Sequence, residues 1–290
     1  MKSRGVSGRT PFQTHGRSFQ GNCYVYPVLS RRAGGISIGV NLNRDKSCNF
    51  RCIYCQVDRS EPGRPESIDV DRLTEELEGM INLVVSGRIY EDPAFCRTPE
   101  SLRRLNDIAL SGDGEPTAHP DFERVVCTCA EIRSRHPLPD LKLVLITNAS
   151  MLHREEVRRA LAVLDANHGE IWAKLDAGTE AYYRRVARTE APFQQVLDNL
   201  REAALGRPIV IQSLLMRIRE EAPPPAEQEA YCRRLSEIIA AGGRIKLVQI
   251  YTVARTPAES WVTPLSTTEL EAAAELVRHR TGLPVATFPG

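Results

Sequence analysis

Short apolar or β-branched runs alternate with longer amphipathic stretches along most of this chain, the pattern of strands followed by helices. The runs "ISIGVNLN" (36–43), "DIALSG" (107–112), "LKLVLITN" (141–148), "EIWAKLDA" (170–177), "IVIQSLLM" (209–216) and "IKLVQIYTV" (245–253) predict six strands. Between and after them, 3.6-residue periodicity predicts helices over 69–87, 120–135, 154–165, 192–205, 226–241 and 267–281. Pro120 and Pro192 suit a first helical turn, Ser266 with Glu269 has the spacing of a capping box, and Gly206, Gly242 and Gly282 fall where helices should stop. The Pro-rich stretch "EEAPPPAE" (220–227) reads as a strand-to-helix loop, because periodicity resumes on both sides.

Strands alternating with helices predict an α/β fold with a parallel sheet and right-handed crossovers. An open doubly wound sheet and a partial barrel both satisfy that pattern. Both also place their chemistry at the carboxyl ends of the strands. At those ends lie three cysteines after the first strand, "GDGEPT" (112–117) after the second, "ITNAS" (146–150) after the third and "KLDAG" (174–178) after the fourth. The fifth strand carries Gln212 and Ser213, the sixth "QIYTVAR" (249–255). Each segment has a plain structural reading as a turn or cap; together they put polar residues on one rim.

Composition changes this picture little. The 290 residues carry a net charge of +1, with 42% hydrophobic and 26% charged, the balance of an ordinary globular protein able to bury a sizeable core. No apolar run approaches the roughly 18 residues of a membrane span. Eight cysteines without a signal-peptide pattern fit reduced thiols and a cytoplasmic protein better than a disulfide set. Charge is uneven, however: residues 1–44 contain no Asp or Glu, and Arg4, Arg9, Arg17, Arg31 and Arg32 are interleaved with Phe12, Phe19, Tyr24 and Tyr26. Residues 1–33 therefore read as a basic N-terminal arm on a single core domain of 34–290. The arm could be solvated or could contact nucleic acid or an acidic substrate; its Gly and Pro content argues against a helical targeting peptide.

Cys48, Cys52 and Cys55 stand within eight positions, with no fourth cysteine nearby. A structural zinc site wants four ligands, usually as two cysteine pairs. Cys127 and Cys129 sit in a predicted helix and point to different faces, and Cys23, Cys96 and Cys232 are isolated. A cubane iron–sulfur cluster differs, because three cysteines leave one iron open to a small molecule.

The spacing Cys48-x₃-Cys52-x₂-Cys55 with Tyr54 before the last cysteine, and "GDGEP" at 112–116, resemble the motifs of the radical S-adenosylmethionine (SAM) superfamily. Asp113 stands where a glycine is more usual. The segments "YVYPVLSRRAGGISIGVNLN", "YCQVDR", "SGDGEPTAHPDF", "KLDAGTE" and "QIYTVARTPAE" look more narrowly like a bacterial branch akin to wyosine-forming tRNA modification enzymes. The cysteines for a second cluster, expected of the tRNA enzymes, are absent. The resemblance implies a partial TIM-like (βα)6 barrel of the radical SAM type over about residues 34–285.

It further implies a [4Fe-4S] cluster on Cys48, Cys52 and Cys55, with SAM chelating the fourth iron. Gly112, Asp113, Gly114 and Glu115 would receive the methionine amino group, Lys174 its carboxylate and Asp176 the ribose hydroxyls. Tyr54 would pack near the adenine, with Thr147, Asn148 and Gln212 as neighbouring contacts. An external flavodoxin- or ferredoxin-like electron donor is implied as well. Gln249, Tyr251 and Arg255 are candidates to face a substrate, for which RNA, a small molecule and a peptide all stay open. The competing readings are an iron–sulfur or zinc-binding module without radical chemistry, and a metal-assisted hydrolase built on Asp113, Glu115 and Asp176.

Overall fold

A computed structural model of the chain describes residues 19–59 and 66–290. Residues 1–18, most of the basic arm, lie outside the described residues. The chain opens with strands β1 (Val25–Ser30) and β2 (Gly35–Val40), then helix α1 (Val70–Val85), β3 (Leu105–Leu110), α2 (Phe122–Arg135), β4 (Lys142–Thr147), α3 (Glu155–Ala166) and β5 (Gly169–Lys174). It continues through α4 (Glu180–Ala187), α5 (Phe193–Gly206), β6 (Ile209–Leu214), β7 (Met216–Ile218), α6 (Pro225–Ala240), β8 (Ile245–Tyr251), β9 (Val262–Pro264), α7 (Thr267–Thr281) and β10 (Val285–Phe288).

One eight-stranded sheet has the order β1-β2-β3-β4-β5-β6-β8-β10, parallel throughout except for the β1–β2 hairpin. It curls into a partially open half-barrel flanked by helices, the partial-barrel alternative of the two. All six expected strands are its parallel members β2, β3, β4, β5, β6 and β8. Side chains alternate across it with the period of two that a strand imposes. Ile38, Ile108, Leu143, Ile171, Ile211 and Val248 face the helices in the main core. Ala109, Val144, Trp172 and Val210 form a small apolar layer on the concave face.

Four features lie beyond the six-unit pattern. β1 joins the edge of the sheet because Gly39 leaves room for the Tyr26 ring; a Cβ there would come within 2.3 Å of it. β10 extends the other edge beside β8. β7 and β9 pair antiparallel to each other, apart from the main sheet. α4 fills the gap between β5 and α5, capped by the Thr179 hydroxyl.

Helix ends follow local chemistry. Ser266 and Glu269 form the expected reciprocal capping box, and Gly242 and Gly282 take left-handed φ values of 87° and 70° just where α6 and α7 end. Pro192 is the residue before α5, and Pro120 lies ahead of Asp121 at the start of α2, so both precede the first turn that they were expected to occupy. Cys129 is buried while Cys127 is partly exposed, as their separation on α2 requires. No helix among the described residues is long and apolar enough to cross a membrane.

The amino-terminal end of the sheet is closed by charge. Burial pushes the Glu170 carboxyl up, but hydrogen bonds from Lys142 (2.8 Å), Lys246 (2.6 Å) and Trp172 (3.1 Å) outweigh it and hold the group at about 2. Asp107 is different: burial pushes it up to about 6 against the opposing Ser37 hydroxyl and Lys142. The folded state must therefore ionise Asp107 at a cost that is absent at low pH, grows as pH rises from about 4 and is complete above about 6. Asp107→Asn keeps the acceptor for Ser37 and removes that cost. Urea unfolding should show the variant stabilised by up to roughly 2–3 kcal/mol at about pH 8, with little gain at about pH 4; equal effects at both would contradict the assignment.

Candidate active site

The segment after β2 carries the three cysteines in irregular backbone, and it is tied down at several points. Arg51 and Ile53 donate backbone N–H groups to the carbonyls of Ala187 and Val186 at the end of α4, both at 3.0 Å. The Thr189 hydroxyl donates to the Asn49 carbonyl at 2.8 Å, and the Asn49 side chain meets Ser150 and Asn148, each at 2.8 Å. So fixed, Cys48, Cys52 and Cys55 line a cavity of about 340 Å³ at the carboxyl ends of the strands. Gly112, Asp113, Gly114, Glu115, Thr147, Asn148, Lys174 and Tyr54 line the same cavity. The cysteines also line a second, outer cavity of about 810 Å³ with Lys46, Arg51, Arg59 and Arg188, so their loop is the wall between the two.

The wall fits only because two side chains are missing. A Cβ on Gly114 would stand 1.8 Å from the Ser47 carbonyl oxygen and 2.6 Å from the Asn43 side chain, and one on Gly112 would stand 2.2 Å from Asn41 Oδ1. Asp113 between them has room, and its carboxylate accepts from Asn41 Nδ2 at 2.7 Å while its backbone N–H donates to Asn41 Oδ1 at 3.1 Å. The carboxylate of Glu115 is buried. It accepts from the Thr117 and Thr147 hydroxyls and from the Thr117 and Asn148 backbone N–H groups, at 2.5, 2.6, 3.1 and 2.7 Å. Burial raises its pKa against those four bonds. Glu115 thus links the loop after β3 to the end of β4, and Thr147 turns inward to serve it.

Lys174 and Asp176 do share a face, and they pair with each other at 2.9 Å, each side chain only about one-seventh exposed (14% and 13%). Lys174 also donates to the Tyr251 hydroxyl at 2.6 Å, and its ammonium lies 4.6 Å from the Tyr251 ring centroid and 5.1 Å from that of Tyr54. Burial opposes the ammonium charge, but Asp176 and Tyr251 outweigh it and raise the pKa, so Lys174 is protonated. Asp176 accepts from the Tyr54 hydroxyl and from the Leu214 backbone N–H. Asp176 lines not this cavity but a smaller neighbouring one of about 40 Å³, with Cys52, Tyr54 and Lys174, and Gln212 is in neither wall. It is fully buried and donates to Gln249 at 2.8 Å, which takes Gln249 out of contact with solvent too. Tyr251 and Arg255 line the cavity.

Among the described residues no three His, Cys, Asp or Glu side chains converge as ligands of a single metal ion. A cubane asks for something else: thiolates held apart at separate corners on one wall, with N–H donors to their sulfurs. The Phe50 N–H donates to Cys48 Sγ at 3.5 Å and Arg59 Nη2 to Cys55 Sγ at 3.7 Å. Burial pushes the Cys48 thiol up to about 11, and burial with the Asp176 charge pushes Cys52 to about 12. Buried thiols of this kind are inert as nucleophiles and ionise when a metal supplies positive charge. The residues fit a cluster on these grounds.

Residues 45–221 match the sequence model of the Radical SAM superfamily. The chain belongs to the radical SAM superfamily. Among its relatives, a protein of Brachyspira hyodysenteriae named GTPase Obg is 26% identical over 182 residues, 61% of this chain and 22% of that one. A UPF0026 protein of Helicobacter pylori is 27% identical over 194 residues, 66% of this chain and 53% of its own length. A UPF0026 protein of Methanocaldococcus jannaschii is 27% identical over 187 residues, 62% and 48% of the two chains. This chain thus spans about half the length, or less, of the curated relatives it matches. The radical SAM fold is shared with two solved structures. TYW1 with a lysine-pyruvate adduct bound has a TM-score of 0.51 at 16% identity, covering 86% of this chain and 74% of that chain. Archaeal TYW1 has a TM-score of 0.50 at 13% identity, covering 84% and 72%.

Several residues that build the site were not singled out from the sequence: Asn41, Asn43, Asn49 and Ser150. The one local signal was the pair of asparagines in "NLN" ending an otherwise apolar strand, where side-chain amides can cap exposed backbone. The close packing yields a sharp test. Gly114→Ala should cut iron bound after anaerobic reconstitution to under about a fifth of wild type, since the new methyl meets backbone, whereas Asp113→Ala should keep more than about half. Iron and sulfide analysis decides it, and equal retention by the two variants would remove the packing argument.

Proposed function

We propose that the chain is an enzyme that reductively cleaves SAM at a [4Fe-4S] cluster held by Cys48, Cys52 and Cys55. The observation that carries this reading is that three thiols share one cavity wall with Gly112–Glu115, Asn148 and the protonated Lys174. When bound, the cluster supplies one electron to the SAM sulfonium, giving methionine and a 5′-deoxyadenosyl radical that abstracts hydrogen from a substrate.

The chain's own residues bind and orient. An ammonium has three donors, and Lys174 spends two on Tyr251 and Asp176, so the third can meet the methionine carboxylate without breaking the pair. Asp176, a carboxylate with about four acceptor positions, spends three on Lys174, Tyr54 and Leu214, so one is left for a ribose hydroxyl. Backbone groups of 112–115 suit the methionine amino group, because Asn41 and the Glu115 bonds already fix their direction. Asn148 flanks them. Tyr54, held by Asp176, is placed to pack against the adenine. Thr147 acts through Glu115, and Gln212 through the buried row beneath Lys174; both are positioning residues in this reading. The outer cavity, lined by Lys46, Arg51 and Arg59 beside Arg188, which pairs with Glu259, suits an acidic flavodoxin- or ferredoxin-like electron donor.

Anaerobic reconstitution followed by dithionite and SAM tests the reading. Wild type should release 5′-deoxyadenosine and methionine in equal amounts, Cys52→Ala should release neither, and Lys174→Met should bind SAM at least about tenfold more weakly with its iron content retained. A reconstituted wild type that holds iron and sulfide yet yields no 5′-deoxyadenosine would mark the chain as an iron–sulfur module without radical chemistry.

A further inference from the structure

The wall between the inner and outer cavities is thin where the cysteines lie. Six residues line both cavities: Cys48, Cys52, Cys55, Gln56, Val57 and Arg59. Arg59 is the one permanently charged side chain of the six. It follows the last cysteine by four positions, in irregular backbone, and is half-buried. No helix or strand fixes its side chain there, so its position is set by what the guanidinium meets.

A guanidinium presents N–H donors in a rigid planar fork and has no acceptor. In Arg59, Nη1 donates to the carbonyl of Lys46, two residues before Cys48, and Nη2 donates to Cys55 Sγ at 3.7 Å. The fork therefore spans the two ends of the cysteine segment. Its third nitrogen behaves differently: Nε is buried and has no hydrogen-bond partner among the described residues. A buried N–H that has given up water without gaining an acceptor is costly. A clamp from Lys46 to Cys55 accounts for Nη1 and Nη2 and leaves Nε unexplained. Nε and Nη2 share one edge of the fork, so the donor without a partner sits beside the one on the cysteine sulfur. A cluster on these cysteines brings further acceptors to that place, its inorganic sulfides.

We infer that Arg59 is a redox-tuning residue of the cluster: Nη2 donates to the Cys55 sulfur, Nε to a second cluster sulfur, and the guanidinium charge favours the reduced state. The inference deepens the proposed function and rests on its cluster, not on the cleavage of SAM. A cluster held by three thiolates carries negative charge that grows when an electron is added, and N–H donors to its sulfurs raise its potential. The electron comes from the flavodoxin- or ferredoxin-like donor, which is oxidised; Arg59 keeps its protons, and no bond forms or breaks. Because Arg59 also lines the outer cavity, its charge lies on the side proposed for that donor.

A redox titration followed by electron paramagnetic resonance tests this on anaerobically reconstituted protein without SAM, at matched iron and sulfide content. Arg59→Met removes the charge and the donors together. It should lower the equilibrium constant for one-electron reduction by about tenfold or more, each tenfold being a shift of about 59 mV to the negative. Arg59→Lys keeps the charge but not the planar fork, and should recover part of that loss. Unchanged potentials in both variants overturn the inference, since an arginine that only clamps the loop, or only serves SAM, leaves the SAM-free potential where it was. If the variants take up no cluster, the wild type decides. Protein made with arginine ¹⁵N-labelled in the guanidino group should show ¹⁵N coupling in the electron spin-echo spectrum of its reduced cluster, and absence of that coupling overturns the inference. Wild type that makes 5′-deoxyadenosine with a potential indifferent to Arg59 fails this inference alone. A potential that moves with Arg59 in a protein that makes no 5′-deoxyadenosine fails the radical reading alone, and wild type that takes up no [4Fe-4S] cluster fails both.

Discussion

The site depends on a steric constraint: the backbone of residues 112–114 lies against the cysteine segment with no space for a side chain at either glycine. The 1.8 Å that would separate a Gly114 Cβ from the Ser47 carbonyl is far inside any tolerable contact. Because the approach is that close, Asn41 can use both ends of its amide on Asp113. The same closeness lets the loop after β3 and the loop after β2 share a wall. Glu115 then fastens that wall to β4, and Asn148 fastens β4 back to Asn49 in the cysteine segment. Three loops far apart in sequence become one rigid surface. The substitution of Asp for the more usual Gly at 113 is compatible with this packing, because that side chain has space and a partner where its two neighbours have none.

Burial sets the electrostatics around the cysteines. Where the cysteines lie, burial keeps Cys48 and Cys52 protonated until a metal compensates their charge. Beside them Lys174 and Asp176 are a satisfied pair, held by two tyrosines in a setting where an isolated charge would be costly to bury.

Much of the fold was legible because parallel strands buried by helices must be apolar runs, and each of the six expected strands is found within a few residues. The edges were not legible for a physical reason. β1 depends on a tyrosine packing over Gly39, β10 is a four-residue strand that pairs only in register with β8, and α4 has just eight residues. β10 and α4 are too short to show a period, and β1, as long as the strands that could be read, is interrupted by Pro27. In the site, the cysteine spacing and "GDGEP" were visible because each is a contiguous segment. The Asn41 contact with Asp113 spans 72 positions and that of Tyr54 with Asp176 spans 122, so neither could be inferred locally. Lys174 and Asp176 were read as independent contacts to SAM; their mutual pairing adds a constraint on any such roles. The geometry brings the cysteines, Gly112–Glu115, Thr147, Asn148 and Lys174 to one cavity, while Asp176 and Gln212, expected on the same rim, lie outside its lining.

The central claim is that three cysteines leave one iron for SAM. Electron–nuclear double resonance of the reduced, reconstituted protein with SAM labelled by ¹⁵N at the amino group and ¹⁷O at the carboxylate tests it directly. The account predicts hyperfine coupling of both labels to the cluster, lost in Cys52→Ala along with the cluster itself. A reduced [4Fe-4S] signal that shows no coupling to either label at saturating SAM would contradict it.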